Sequence, residues 1–285
     1  MRKTKLRFSI FLSLLLVFLI IFDAGFFYGM HVSIHQLDVN YLNLKSTLIP
    51  ENLNDKTIVY FSDLQYGKFE NKERTKKVFN EIKALNPDLL IFGGDLFDTD
   101  TSLNTKNVEF IQNCLSSIEA PLGKYAVWGE KDLLDDSRKD SIAEIYKNAQ
   151  IEVLDNKQVS IANQSKTSIY LIGITSSKGI KEATSHCSNK TYNLLVSHKP
   201  DCLVSEQLVS CSISYAFAGH AHATQINYPI LGAYRKEKGS MKLNVNTKKR
   251  LSFPYTLSNG VGTTHVDVRY RSKPEIHYIT LKSKK

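Results

Sequence analysis

Apolar and polar positions alternate along this chain on three different scales. At the start, FSIFLSLLLVFLIIF (8–22) is an almost unbroken apolar run, and AGFFYGM carries it past Asp23 to Met30. A helix crossing a bilayer needs about 20 such residues. Phe8 to Met30 reaches that length with one charge near its outer end. Residues 31–55 show no strong period and read as a linker.

From residue 57 the scale shortens. TIVYFSDL (57–64) is an apolar, β-branched run ending in polar residues, the mark of a buried strand. NKERTKKVFNEIKAL (71–85) sets Val78, Phe79, Ile82 and Leu85 at helical spacing, and Asn86-Pro87 ends it. DLLIFGGDLFD (88–98) repeats the strand pattern. KNVEFIQNCLSSI (106–118) repeats the helical one, KYAVWGEKD is a third strand, and SIAEIYKNA (141–149) is a short helix. Past residue 150 strict alternation takes over. IEVLDNKQVSIANQSKTSIYLIGI reads as a hairpin turning at 163–166. NLLVSHKPD, SYAFAGHAH, THVDVRY and EIHYITLK are further strands. Strand–helix units followed by strand-rich sequence predict a layered α/β fold with mixed sheets. The expected organisation is an anchor at 1–30, a linker at 31–55 and one domain at 56–282.

Composition adds little to that outline, and charge adds more. A 42% hydrophobic content is ample for a core. The net charge of +9 is spread out, with one group before the apolar run (Arg2, Lys3, Lys5, Arg7) and another in the tail (Lys282, Lys284, Lys285). No basic stripe interleaved with aromatics exists, so nucleic acid is not an expected partner. An anionic membrane or wall polymer suits this charge better. Basic residues ahead of an apolar run keep that end cytoplasmic, and no small-x-small cleavage site follows. The segment therefore reads as an uncleaved signal anchor of a single-pass cell-membrane protein, with its domain outside the cytoplasm. Cys114, Cys187, Cys202 and Cys211 have no metal-site spacing.

The strand ends carry residues of one chemical kind. Asp63 follows the first strand, Asp95 and Asp98 the second, and Glu130 and Asp132 the third; His198, His220 and His222 come later. Ligands of open α/β sheets bind beyond the carboxyl ends of strands, and carboxylates with imidazoles are donors for divalent Mn, Fe or Zn. Asp98 and Asp132 read as capping or supporting residues. In an extended segment His220 and His222 would share one face of their strand.

FSDLQYG, FGGDLFD, VWGEKD, LLVSHKPD and AGHAHATQI, in this order, resemble the calcineurin-like metallophosphoesterases, in particular a bacterial membrane-anchored branch with UDP-2,3-diacylglucosamine pyrophosphatase-like members. The resemblance spans about residues 55–280 and implies a four-layer α/β-β/α sandwich with two divalent metal ions (Mn, Fe, Zn or Mg) at the strand ends. By position, it implies that Asp63, Asp95 and His222 hold one ion, and that Asp95 bridges to a second held by His198 and His220. Two motifs depart from the family pattern. Gln65 stands in place of a ligating histidine, a neutral amide oxygen that favours harder cations and makes the weakest candidate ligand. Glu130 stands in place of a metal-binding asparagine and, as an anionic oxygen donor, is itself an expected ligand of the second ion; Lys131 stands in place of a histidine that touches the phosphate. Lysine is a poor proton donor near neutrality but remains a fixed cation for a phosphate. The expected centre therefore holds two ions, or one. The expected function is a membrane-anchored, metal-dependent phosphoesterase acting on a phosphodiester or pyrophosphate, with Lys131 as its catalytic residue. The alternative is an impaired member that keeps the fold as a binding module.

Overall fold

A computed structural model describes residues 2–228, 232–247 and 249–284. Met1, the first residue of the expected anchor, and Lys285 of the basic tail lie outside the described residues.

One sheet has the order β1-β13-β2-β3-β4-β5. Its strands are β1 (Asp38–Ser46), β2 (Thr57–Phe61), β3 (Leu89–Phe92), β4 (Lys124–Ala126), β5 (Ile151–Val153) and β13 (Glu275–Ser283). β2 to β5 run parallel, and β13 is antiparallel to β2. The other sheet has the order β12-β9-β8-β7-β6. It contains β6 (Lys157–Ile161), β7 (Ile169–Ile174), β8 (Asn193–Ser197), β9 (Tyr215–Ala218) and β12 (Tyr255–Leu257). Only β6 is antiparallel in it. A small ribbon pairs β10 (Asn227–Tyr228) with β11 (Gly232–Ala233).

Alternation within each strand explains the layering. In β2, Val59 and Phe61 pack under α2 (Lys72–Ala84), α3 (Thr105–Ser116) and α4 (Asp136–Asn148), meeting Phe79, Ile111 and Ile145. Ile58 and Tyr60 turn the other way, into a core shared with Leu194 and Phe217 of the second sheet. The Tyr60 and Phe217 rings lie 4.8 Å apart across that interface. Leu195 and Ala216 face a third core under α5 (Ile180–Ala183) and the short 3-10 turns after β8. The result is four layers, as the resemblance implied. Strands covered on both faces show no polar alternation, which is why TIVYF and LLIF are continuously apolar.

Three segments differ from the expectation. The supposed linker contains β1, which pairs in parallel with β13 from Asp38↔Glu275 to Ser46↔Ser283. An outer strand with one half-exposed face leaves only a faint periodic trace. α4 starts at Asp136, five residues before its expected start at 141, because its first turn is polar; the Asp135 side chain caps it by accepting from the Arg138 N–H at 2.8 Å. THVDVRY is not a strand; its one ladder contact is the isolated bridge between Tyr270 and Ile226.

α1 (Arg2–His31) is long and apolar enough to cross a membrane. Its last turns rest on the domain. Gly25 and Gly29 pack against Tyr270 and Val268 so closely that a methyl group on Gly29 would sit 3.0 Å from Val268. The Gly29 carbonyl accepts from the Arg269 N–H at 3.1 Å.

Candidate metal centre

The carboxyl ends of β2, β3, β4, β8 and β9 meet at one edge of the two sheets. The segments after β2, β3 and β9 leave their strands by a backbone conformation that side chains other than glycine seldom adopt. Asp63, Gln65, Asp95, His220 and His222 have φ of 54°, 52°, 61°, 63° and 46°. Such conformations cluster where function demands them. The histidine pair is therefore not extended: β9 ends at Ala218, and GHAH turns, so the two rings reach the centre from different sides.

Glycines let the turns interlock. A side chain on Gly129 would strike Asp95, and one on Gly94 (φ 92°) would strike the Gly129 backbone at 2.5 Å. Asp132 fastens the same turns. Its carboxylate accepts from the N–H groups of Asp95, Leu96 and Gly129, each at 2.9 Å. Burial, then Asp95, pushes its pKa up to about 6.

The donors follow. His198 Nδ1 lies 2.7 Å from the Gly93 carbonyl, and His220 Nε2 lies 2.9 Å from the Lys238 carbonyl. Each N–H given to a carbonyl leaves the other ring nitrogen with a lone pair. His198 Nε2 is 3.5 Å from Asp95 Oδ2 and 4.0 Å from Asp63 Oδ1. His222 Nε2 is 3.5 Å from Asp63 Oδ1. Asp95, His198 and His220 each offer a ligand atom within 4.8 Å of the others'. Asp63 Oδ1 and His198 Nε2 are buried without a hydrogen-bond partner. Buried polar atoms are almost always paired, so two orphans facing each other between carboxylates and imidazoles fit a divalent cation. Electrostatics agree. Burial disfavours a charged His198, yet Asp95 and Asp63 push its pKa up to about 10; burial, helped by Arg269 and Lys131, takes that of His222 down to about 3 against Asp63. The cluster calls for positive charge at its middle.

The two altered motifs lie differently. Glu130 stands at the rim, about one-third exposed, and its carboxylate meets Lys199 Nζ at 3.0 Å. Lys131 is buried, and its ammonium donates to Gln65 Oε1 (2.6 Å), Asp98 Oδ1 (2.9 Å) and Thr264 Oγ1 (2.7 Å). Gln65 Nε2 in turn donates to Asp95 Oδ2 at 2.9 Å. A cavity of about 360 Å³ opens over the group and is also lined by Arg235 and His265.

Sequence reasoning did not single out Thr264, Arg235 or Arg269, and it set His265 aside. Arg269 is fully buried and donates to the carbonyls of Asn259, Gly260, Gly262 and Ser272. It thereby holds a loop whose Gly260 lies against Asp63. An arginine amid glycines was the available signal.

A family model for calcineurin-like phosphoesterases matches residues 56–223. The chain belongs to that family. It is a hydrolase of the metallophosphoesterase class, and the class works with divalent metal ions. The chain is 24% identical over 267 residues to the metallophosphoesterase YkuE of Bacillus subtilis, covering 91% of each protein. A transmembrane protein with a metallophosphoesterase domain from Danio rerio is 23% identical over 82% of this chain and 55% of its own length. UDP-2,3-diacylglucosamine pyrophosphatase LpxG of Chlamydia muridarum is 33% identical over 81 residues, 28% of this chain and 24% of that protein.

Proposed function

We propose that this protein is a membrane-anchored phosphoesterase that hydrolyses a lipid-linked pyrophosphate, with Asp63, Asp95, His198, His220 and His222 holding its divalent ion. The pair of buried orphans, Asp63 Oδ1 and His198 Nε2, carries this reading. A bound ion would neutralise the phosphate and lower the pKa of a water. Lys131 fixes a positive charge beside the cavity, and Arg235 adds another at its wall. Glu130 at the rim is a carboxylate within reach of the same space.

The leaving group narrows the substrate. All three Lys131 protons are engaged by buried acceptors, so Lys131 is a positioned cation rather than a proton donor. A leaving group that departs without protonation is then favoured. A phosphate monoester, with a second pKa of about 6, departs far more readily than an alkoxide. That supports a pyrophosphate over a dialkyl phosphodiester.

The anchor narrows it further. α1 ends against residues 268–270, and residues 264–266 of the same loop line the cavity. The mouth thus lies close to the outer end of the apolar helix, and the exposed Leu134 and Tyr234 flank it. LpxG, named for a diacylated nucleotide sugar, is consistent with such a substrate. With basic residues in the first turns of α1, ahead of its apolar run, the domain lies outside the cytoplasm.

The test compares two pyrophosphates in mixed micelles, one joining a nucleoside to a diacylated sugar phosphate and one lacking the acyl chains. Metal-loaded protein should cleave the acylated compound at least tenfold faster, and Asp95→Ala should cleave neither. Equal rates on both would remove the lipid part. No turnover above the Asp95→Ala control would leave the fold as a binding module.

A further inference from the structure

We infer that this centre holds one divalent ion and that Lys131 supplies, from within the chain, the positive charge a second ion would bring. The inference rests on the metal-dependent reading above and specifies its stoichiometry.

The decisive group is the Gln65 amide. A ligand must present a lone pair, which only its oxygen has. Lys131 Nζ lies 2.6 Å from that oxygen, and an ammonium offers donors alone. The oxygen must therefore face the lysine, and the NH2 group faces Asp95 Oδ2 at 2.9 Å. Turning the amide over would set NH2 against ammonium at one end and oxygen against carboxylate at the other. Both contacts would be repulsive in a buried site. While Lys131 stays in place, one lone pair of that oxygen is taken and a fixed ammonium 2.6 Å away opposes any cation at the other.

Lys131 is firmly held. Its side chain is fixed by Asp98 and Thr264 as well as Gln65. Its N–H donates to Asp95 Oδ1 at 2.9 Å, and its carbonyl accepts from Arg138 Nε at 2.7 Å. Asp95 is consequently engaged at both oxygens before any ion arrives, one by the Lys131 N–H and one by Gln65. Each of those bonds occupies a lone pair that a carboxylate spanning two ions would otherwise have to offer. Among the remaining donors, Asp95, His198 and His220 offer ligand atoms within 4.8 Å of one another, the set for one ion, and Asp63 and His222 stand beside it as a pair 3.5 Å apart.

Charge leads to the same number. The side chains that reach the centre or Lys131 include the carboxylates of Asp63, Asp95 and Asp98 and one ammonium. Three negative charges against one positive leave two, which a single divalent ion neutralises. A second ion would leave a buried excess of two positive charges, costly in a low-dielectric interior.

The experiment loads the full chain in detergent with Mn(II), removes free metal, and reads bound metal by mass spectrometry together with the EPR spectrum. Wild type should bind one Mn(II) per chain and give the resolved hyperfine pattern of an isolated ion. The double variant Gln65→His/Lys131→His should bind two and show the broadened spectrum of a spin-coupled pair. Two coupled ions in wild type would overturn the inference while leaving the metal-dependent reading intact. No bound ion in wild type would overturn both. A folded double variant still at one ion would overturn the role given to Gln65 and Lys131. Should that variant not fold, the wild-type stoichiometry decides alone.

Discussion

Replacing Asp132 with alanine tests how the strand-end turns are held. Asp132 Oδ2 accepts from Asp95 N–H and Gly129 N–H, and Oδ1 from Leu96 N–H, each at 2.9 Å and buried. Alanine strands three donors. Each buried unsatisfied group costs about 1–3 kcal/mol, so the variant should lose about 3–6 kcal/mol, allowing for water entering the vacated space. Asparagine keeps one acceptor on the two-donor side and turns its NH2 toward Leu96 N–H, so it should lose about 2 kcal/mol. Since a whole protein is stable by about 5–15 kcal/mol, the alanine loss is large. The assay is urea unfolding of the full chain in detergent at pH 8, above the Asp132 value of about 6. Trp128, buried four residues before Asp132 and 5.8 Å from Tyr146, is the fluorescent probe. An alanine variant within 1 kcal/mol of wild type, or asparagine as harmful as alanine, would refute the reasoning.

Two further outcomes are expected. Burial pushes Glu70 up to about 8 against the opposing Arg74, whose Nε lies 3.2 Å away while both Glu70 oxygens lack a hydrogen-bond partner. The folded chain therefore keeps a proton that the unfolded chain releases from about pH 4.5, and stability falls as pH rises from there through 8. Glu70→Gln should match wild type in thermal melts at pH 5 and melt higher at pH 9; identical profiles at both pH values would exclude a buried neutral Glu70. In a series of aryl and alkyl phosphodiesters, kcat/KM should fall steeply as the leaving group becomes more basic, because Lys131 gives no proton to it. A flat dependence would place a proton donor in the site.

Much of the fold is legible because burial on both faces writes itself into the chain. TIVYF and LLIF are continuously apolar, and the helices from 71 and 106 show their spacing plainly. β1 is not legible, since its pairing with β13 joins residues more than 200 positions apart and its outer face is half exposed. The Asp and His residues at strand ends are readable by order and type. Their mutual distances are not, because the turns that aim them adopt left-handed backbone conformations at residues other than glycine. Sequence shows that Gln65 and Lys131 are unusual; only the structure shows that they bond to each other. Asp98, expected to cap or support, accepts from the Thr99 N–H and anchors that lysine, and Thr264 comes from a segment expected to be a strand.

The central claim is that the orphaned donors at the strand ends make a metal-dependent hydrolytic site. The most direct measurement is hydrolysis of bis(p-nitrophenyl) phosphate by Mn-loaded protein, beside the same protein after chelation and beside His198→Ala. The account predicts turnover that chelation removes, that added Mn(II) restores, and that His198→Ala lowers by at least about 100-fold. Metal-loaded wild type hydrolysing no faster than His198→Ala would contradict it.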